Sequence, residues 1–155
     1  MRRRVKQAAV VFVIVFAAAQ LVRPERANPP VDVGRTIQAH VDPASALPAV
    51  LKRSCGDCHS NETEWRWYTN VAPVSWLMAR GVAEGRKAVN FSEWHVYSPE
   101  QRHDLLTASC QDAREDKMPG PYARVRPDTK LSPDDIDTIC AAARELDARA
   151  AGGPR

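Results

Sequence analysis

Apolar residues in this chain recur at helical spacing in four segments, and no useful stretch alternates apolar and polar residues as a strand would. Side chains spaced three to four residues apart share one face of a helix, which can be buried in a core. The segments and their stripes are 44–55 with Ala46, Leu47, Val50 and Leu51; 73–82 with Val74, Leu77, Met78 and Val82; 98–110 with Leu105, Leu106 and Cys110; and 132–146 with Ile136, Ile139, Cys140, Ala143 and Leu146. The pattern predicts an all-α domain.

Local start and stop signals agree with these segments. Ser98-Pro99-Glu100-Gln101 places a capping serine before a proline at the first helical position and a glutamine at the third. Ser132-Pro133-Asp134-Asp135 repeats this start, and Gly152-Gly153-Pro154 ends the last helix. We therefore expect four to five short helices over residues 44–149, followed by a flexible tail at 150–155.

The first 22 residues have a different pattern, in which basic residues precede an apolar run that only Gln20 interrupts. A positive start, an apolar core and the small residues Ala17-Ala18-Ala19 are typical of an export signal with a cleavage site. The core of about 15 residues is short for a spanning helix, which needs about 20, yet Leu21 and Val22 extend it. A cleaved signal peptide and an uncleaved membrane anchor both stay open, as does a buried N-terminal helix of a cytosolic domain.

Either of the first two alternatives places the rest of the chain outside the cytoplasm, because the positive end stays inside. We expect it in the bacterial periplasm, or anchored on the periplasmic side of the inner membrane. Residues 23–43 carry four prolines and no sustained periodicity, which predicts an extended lead or linker that is partly packed on the domain.

The net charge of +3 belongs to the N-terminal segment. Beyond residue 22 the chain has 18 basic and 19 acidic residues, a net charge of −1. Affinity for a nucleic-acid backbone needs clustered Lys and Arg, so no nucleic-acid partner is expected.

The chemistry lies in Cys55-Gly56-Asp57-Cys58-His59, which has the form C-x-x-C-H. Two thiols one helical turn apart can add to the two vinyl groups of haem, and the adjacent histidine then becomes the proximal iron ligand. A zinc site would need further ligands in a second pair, and a thioredoxin-type redox pair would follow a strand. Coincidence explains the motif less well in an exported chain, because free paired thiols oxidise there. We therefore expect one covalent haem c.

The sixth iron position has several candidates, of which Met118 is favoured. It lies in Lys117-Met118-Pro119-Gly120-Pro121-Tyr122, a loop whose prolines can hold a thioether against iron with little entropy to lose. Met/His ligation raises the reduction potential relative to bis-His ligation. The other candidates are Met78, which the helical stripe makes a core residue, and His40, His95 and His103; an open position is a further alternative.

Supporting roles follow from general needs of a haem site. The proximal His59 needs an acceptor for its Nδ1–H, for which the carbonyl of Pro73 or a neighbour in 71–73 is a candidate. Haem contacts or propionate donors could come from Trp67, Trp76, Tyr122 and Arg124, unless Arg124 is a solvated surface charge. Cys110 and Cys140 either form a disulfide between the helices that flank the Met118 loop or are two small buried residues that never meet.

The run CGDCHSNETEWRWYTNVAPVSWLMARGVAEGRKAVNFSEW and the later KMPGPYARVRPDTKLSPDD resemble the bacterial haem-binding domain family, small exported proteins similar to monohaem c-type cytochromes. The resemblance includes residues 20–24 and 28–30 and so spans roughly residues 20–148. It implies a cytochrome c-like bundle around a covalently attached haem held by Cys55, Cys58 and His59, with Met118 as the distal ligand. It also implies that the lead belongs to the domain.

The expected function is that of a single-haem electron carrier and not of an enzyme. We expect it to exchange electrons with a larger redox partner. If the N-terminal segment is uncleaved, that segment would contact the membrane. The alternatives are a haem peroxidase and a redox or gas sensor, both with a displaceable sixth ligand. A peroxidase would also need an acid/base residue at the distal side.

Overall fold

The computed structural model describes residues 2–151, with side chains described as far as Leu146, and over that range the chain forms helices and loops without a β-strand. The expected all-α class is therefore confirmed. The helices are α1 (Arg2–Ala19), α2 (Leu47–Ser54), α3 (Gly56–His59), α4 (Val74–Ala88), α5 (Pro99–Arg114) and α6 (Pro133–Ala151). Short 3₁₀ turns lie at Val33–Arg35, Ile37–His40, Trp67–Asn70, Phe91–Val96, Gly120–Arg124 and Pro127–Thr129.

Helices α2, α4, α5 and α6 form at the four apolar stripes, and the caps form as the start signals predict. The stripe on α4 is not a buried face, because Val74 and Leu77 are 38% and 69% exposed and, of the stripe, only Val82 is buried. At α5 the Ser98 hydroxyl accepts from the Gln101 amide at 3.3 Å, while the Gln101 side chain accepts from the Ser98 amide at 2.9 Å. At α6 the Ser132 hydroxyl and the Asp135 carboxylate make the same reciprocal pair. The last helix runs to Ala151, so the tail expected at 150–155 begins with two helical residues, and 152–155 lie outside the described residues.

The core lies between α2, α5, α6 and the turn Phe91–Val96. Trp94 is 2% exposed at its centre, and α5 and α6 pack against each other along their length. Cys110 and Cys140 join these two helices in a disulfide with their Cα atoms 4.9 Å apart. The long segment between α5 and α6, which carries Met118, therefore starts and ends on a covalently linked pair of helices.

The N-terminal helix α1 stands apart from this core, with no buried residue. Among the residues that the structure describes, no helix combines the length and the hydrophobicity needed to cross a membrane. Four of the 18 residues in α1 are basic.

The lead after α1 makes specific contacts with the helical domain. The Gln20 side chain pairs with the backbone of Ala72, accepting from its amide at 2.9 Å and donating to its carbonyl at 3.5 Å. Trp76 Nε1 donates to the Val22 carbonyl at 2.8 Å. Further along, Ile37 is fully buried in the core. Both polar and apolar contacts hold this segment against the helical domain.

Candidate functional site

An apolar cavity of about 200 Å³ opens beside α3. Its walls come from the turn that follows α2, from the end of α4, from α5 and α6, and from the loop after α5. Cys55, Cys58, His59 and Met118 all line it, although Met118 lies 59 residues beyond His59 in the chain. The fold thus brings together in one place the residues to which the sequence assigned chemistry.

The C-x-x-C-H residues form a single helical turn directly after α2. The backbone carbonyl of Cys55 accepts from the amides of Cys58 at 3.1 Å and His59 at 3.0 Å, and Cys55 N donates to Leu51 O at 2.9 Å. Both thiols are free. Because one turn separates them, the two sulfurs and the imidazole are presented to the same cavity.

The neighbouring helix α4 approaches this turn as closely as backbone can. A Cβ built on Gly85 would lie 2.4 Å from the carbonyl oxygen of Cys58 and 3.0 Å from its Cβ. No side chain fits at that distance, so glycine is required there for α4 to pack on α3. The close approach fixes the wall of the cavity next to Cys58.

His59 is oriented by a backbone carbonyl. Its Nδ1–H donates to Val89 O at 3.2 Å, which leaves Nε2 as the nitrogen available to a metal. The acceptor expected at Pro73 was wrong, because the Pro73 carbonyl already accepts from the Trp76 and Leu77 amides in the first turn of α4. Burial lowers the pKa of His59, partly opposed by the bond to Val89, and so favours the neutral imidazole that can ligate iron.

The thiols are kept protonated by their surroundings. Burial, and secondarily the neighbouring Cys58, raises the pKa of Cys55 to about 12. Burial and the Asp57 carboxylate raise the pKa of Cys58 as well. Both groups are therefore thiols at neutral pH, the form whose S–H adds across a carbon–carbon double bond.

Met118 lies at the mouth of the cavity and is 48% exposed. Its amide donates to the Asp112 carbonyl at the end of α5 at 3.4 Å, which turns the chain back toward α3. The competing sixth ligands Met78, His40, His95 and His103 do not line this cavity. Of these, His40 Nδ1 bonds to Thr36 O at 2.9 Å and His95 Nε2 accepts from Arg35 at 3.0 Å, so both face other groups.

The four residues expected to contact haem divide between the cavity and the surface. Tyr122 lines the cavity, but its hydroxyl donates to Asp57 at 2.7 Å. Trp67 is 78% exposed, Trp76 gives its N–H to the lead, and Arg124 is exposed; none of these three lines the cavity. Clustering of tryptophans in sequence did not indicate which would be buried.

Polar residues that the sequence did not single out also line the cavity. Ser54 is 5% exposed, and its hydroxyl has no hydrogen-bond partner. Asp112 adds a carboxylate from α5. One signal could have found Ser54: it continues the apolar stripe Leu47–Leu51 by one turn and directly precedes Cys55. A buried hydroxyl without a protein partner at the wall of an apolar cavity is available to a polar group of a ligand.

Arg86 of α4 ties the lead to the segment after the C-x-x-C-H turn. Its guanidinium donates to the carbonyls of Ser60 and Ala27 at 2.7 and 2.8 Å, and to the side chains of Asn28 and Thr63, both at 2.9 Å. Burial lowers the pKa of Arg86, with the nearby Cys58 opposing this. The four bonds thus join α4 to the lead and to residues 60–63, which follow the turn.

The donor set fits haem and does not fit zinc. The cavity offers two thiols, an imidazole with one free nitrogen, a thioether and an unpartnered hydroxyl within apolar walls. Among the described residues, no group of three or more His, Cys, Asp or Glu side chains is arranged to hold a metal ion, and Cys110 and Cys140 are bonded to each other. An apolar macrocycle with polar propionates is the kind of ligand that this set accommodates.

Comparison with known proteins gives one match. A family model described as a haem-binding domain matches residues 14–145, which is most of the chain. No curated protein and no solved structure matches this chain.

Proposed function

We propose that this chain, which belongs to the haem-binding domain family, is an exported single-haem c-type electron carrier with His59 and Met118 as axial ligands. One observation carries the proposal: the C-x-x-C-H residues and Met118, distant in sequence, line one apolar cavity. Bound there, haem would supply one-electron exchange between ferric and ferrous iron.

The chain's own residues would each have a defined part. The thiols of Cys55 and Cys58 would hold the haem as two thioethers: each S–H would add across one vinyl C=C bond, giving one S–C and one C–H bond with no net oxidation. His59 would offer its Nε2 lone pair to the iron, while the Val89 carbonyl accepts a hydrogen bond from Nδ1–H. Met118 would supply its thioether as the second iron ligand, and the Ser54 hydroxyl would be available to hydrogen-bond a polar group of the haem.

Export is proposed on the pattern of residues 1–22. Cleavage after Ala19 would leave Gln20 as the first residue, with its two bonds to Ala72 intact. Mass spectrometry of the protein isolated from the periplasm would show this new N-terminus. An unprocessed chain recovered from the cytoplasm would contradict it. Exchange of electrons would then take place with a larger redox partner on that side of the membrane.

The test of the haem assignment is expression with c-type maturation machinery. We expect a mass increase of one haem that survives denaturation and a pyridine haemochrome of the two-thioether type. A variant that lacks the two thiols should show neither. Protein that stays haem-free under these conditions would refute the assignment.

Axial ligation is tested by Met118→Ala with Met78→Ala as the matched control, because Met78 does not line the cavity. Met118→Ala should lose the weak charge-transfer band of a thioether–ferric iron bond and lower the reduction potential. Met78→Ala should keep both. Equal spectra for the two variants would rule out Met118.

A second candidate, a haem peroxidase or a redox or gas sensor, is favoured by the 48% exposure of Met118 and by the Asp112 carboxylate in the cavity. A displaceable thioether and a nearby acid/base group are what such a protein needs. Binding of carbon monoxide or cyanide to the unmodified protein at low concentration, with peroxide turnover that Asp112→Asn abolishes, would support a peroxidase over a carrier.

A further inference from the structure

The Met118 loop is joined to the C-x-x-C-H turn by a hydrogen bond across 65 residues. Tyr122 lies in the turn Gly120–Arg124, four residues after Met118, and its hydroxyl donates to Asp57 Oδ2 at 2.7 Å. Asp57 is the residue directly before Cys58. The bond therefore connects the backbone carrying one candidate axial ligand to the backbone carrying the other.

Arg126 makes a second link to the same oxygen. Its Nη1 donates to Asp57 Oδ2 at 3.1 Å, and its side chain is only 11% exposed. Asp128 holds the guanidinium in place through both carboxylate oxygens, at 2.9 and 2.7 Å. The two-pronged pair with Asp128 leaves Nη1 directed at Asp57.

Asp57 is itself fixed from the other side. Its Oδ1 accepts from the Glu64 amide at 2.9 Å, so both carboxylate oxygens are engaged. Burial, and then the bond to Asp57, raises the pKa of Tyr122, which keeps its hydroxyl a donor. The three side chains Asp57, Tyr122 and Arg126, which we name the latch, form a closed polar contact beside the cavity.

Apart from these polar contacts, few interactions hold the segment from Met118 to Arg126 in place. From Met118 to Arg126 no residue is buried, and the turn Gly120–Arg124 contributes nothing to the hydrophobic core. Met118 itself is half-exposed and bonded only through its amide to the end of α5. A loop without a buried apolar anchor depends on its polar contacts for its position.

We propose that the latch is the device that positions Met118 against the iron, with Tyr122 and Arg126 as positioning residues acting through Asp57. The inference rests on the proposed function, because it concerns the strength of the Met118–iron contact. A loop held at Asp57 keeps the thioether over the cavity; a released loop lets an external ligand take the sixth position.

The test measures how tightly imidazole, which must displace Met118, binds the ferric haem-loaded protein. Removing a hydrogen bond to a charged acceptor with Tyr122→Phe should tighten imidazole binding about tenfold and weaken the Met–iron charge-transfer band. Arg126→Gln should act in the same direction by several-fold, although Arg126 does not line the cavity. Ser98→Ala is the control, since it weakens the cap of α5 without touching the latch.

Each possible result of this experiment overturns a different part of the proposal. If the unmodified protein lacks the Met–iron band, the axial assignment and the latch both fail. If the band is present but Tyr122→Phe and Arg126→Gln leave imidazole affinity unchanged, the latch alone is overturned. An effect of Tyr122→Phe without one of Arg126→Gln would also overturn it, in favour of direct contact between Tyr122 and haem. An equal effect of Ser98→Ala would overturn the latch as well, because it would show that any loss of stability tightens imidazole binding.

Discussion

Gly85→Ala is the most direct perturbation of the packing that forms the site. The added methyl would lie 2.4 Å from the Cys58 carbonyl oxygen, 2.9 Å from its carbon and 3.0 Å from its Cβ, where ordinary contacts lie at 3.4–4 Å. The close atoms are backbone and cannot turn away. Helix α4 must therefore move away from α3 by about 1 Å, which is the difference between these distances.

The expected cost is that of overpacking, about 1–3 kcal/mol in the free energy of unfolding. Gly81→Ala is the matched control on the same helix, because its methyl would meet no atom within 4 Å. It should gain about 0.5–1 kcal/mol from helix propensity alone. The two alanine variants differ only in what their methyl groups touch.

The assay is thermal and denaturant unfolding of both variants beside the unmodified protein, with the yield of covalent haem per chain. Each kcal/mol corresponds to roughly 2–4 °C in Tm for a chain of this size. Gly85→Ala should melt lower and attach less haem, because displacement of α4 moves the cavity wall beside Cys58. Equal melting temperatures and equal haem yields for the two variants would refute the close-approach argument.

Three other outcomes are expected. The Arg126 guanidinium lowers the pKa of Asp128 from 3.8 to about 2, so the stability that this pair adds is present above pH 3.8 and lost as the pH falls through about 2. The difference in denaturation midpoint between the unmodified protein and Asp128→Asn should accordingly be seen at about pH 6 and vanish near pH 2; a difference that persists in acid would contradict it. Arg86→Lys, which keeps the charge but loses the fork of donors, should destabilise by about 1–3 kcal/mol in urea, whereas Arg80→Lys on the exposed face of α4 should not. In haem-free protein Cys55 should alkylate very slowly at pH 8, since a pKa of about 12 leaves roughly one thiolate in ten thousand; peptide mapping after iodoacetamide would show this, and labelling as fast as a free cysteine would disprove the burial effect.

The helices could be predicted because their signals are local. The capping serines Ser98 and Ser132 and the apolar stripes after them depend on neighbours within a few residues, and the structure places helices there. The C-x-x-C-H turn is equally local. The proximity of Met118 to that turn was inferred from the chemistry of haem and from family resemblance, since no local pattern encodes it.

Other features depend on how distant segments meet, and the sequence could not indicate them. The acceptor for His59 is Val89 because α4 ends beside α3, a consequence of the close contact at Gly85. Trp94 enters the core while Trp67 stays exposed, although both belong to one aromatic-rich stretch. A role for Asp57 was missed because its partners lie more than sixty residues away.

The bond between Cys110 and Cys140 sets a condition on how the protein matures. Under the proposed covalent haem attachment, the four cysteines need opposite chemical fates: Cys110 and Cys140 lose their hydrogens to form the disulfide, while Cys55 and Cys58 must remain thiols until haem binds. The two pairs lie apart in the fold: Cys110 and Cys140 join α5 to α6, whereas Cys55 and Cys58 lie on the turn after α2, where burial raises the pKa of both thiols. The Cys110–Cys140 disulfide can therefore form before the proposed haem attachment without oxidising Cys55 or Cys58. Their separate positions and the raised pKa of the two thiols both disfavour a disulfide between the pairs.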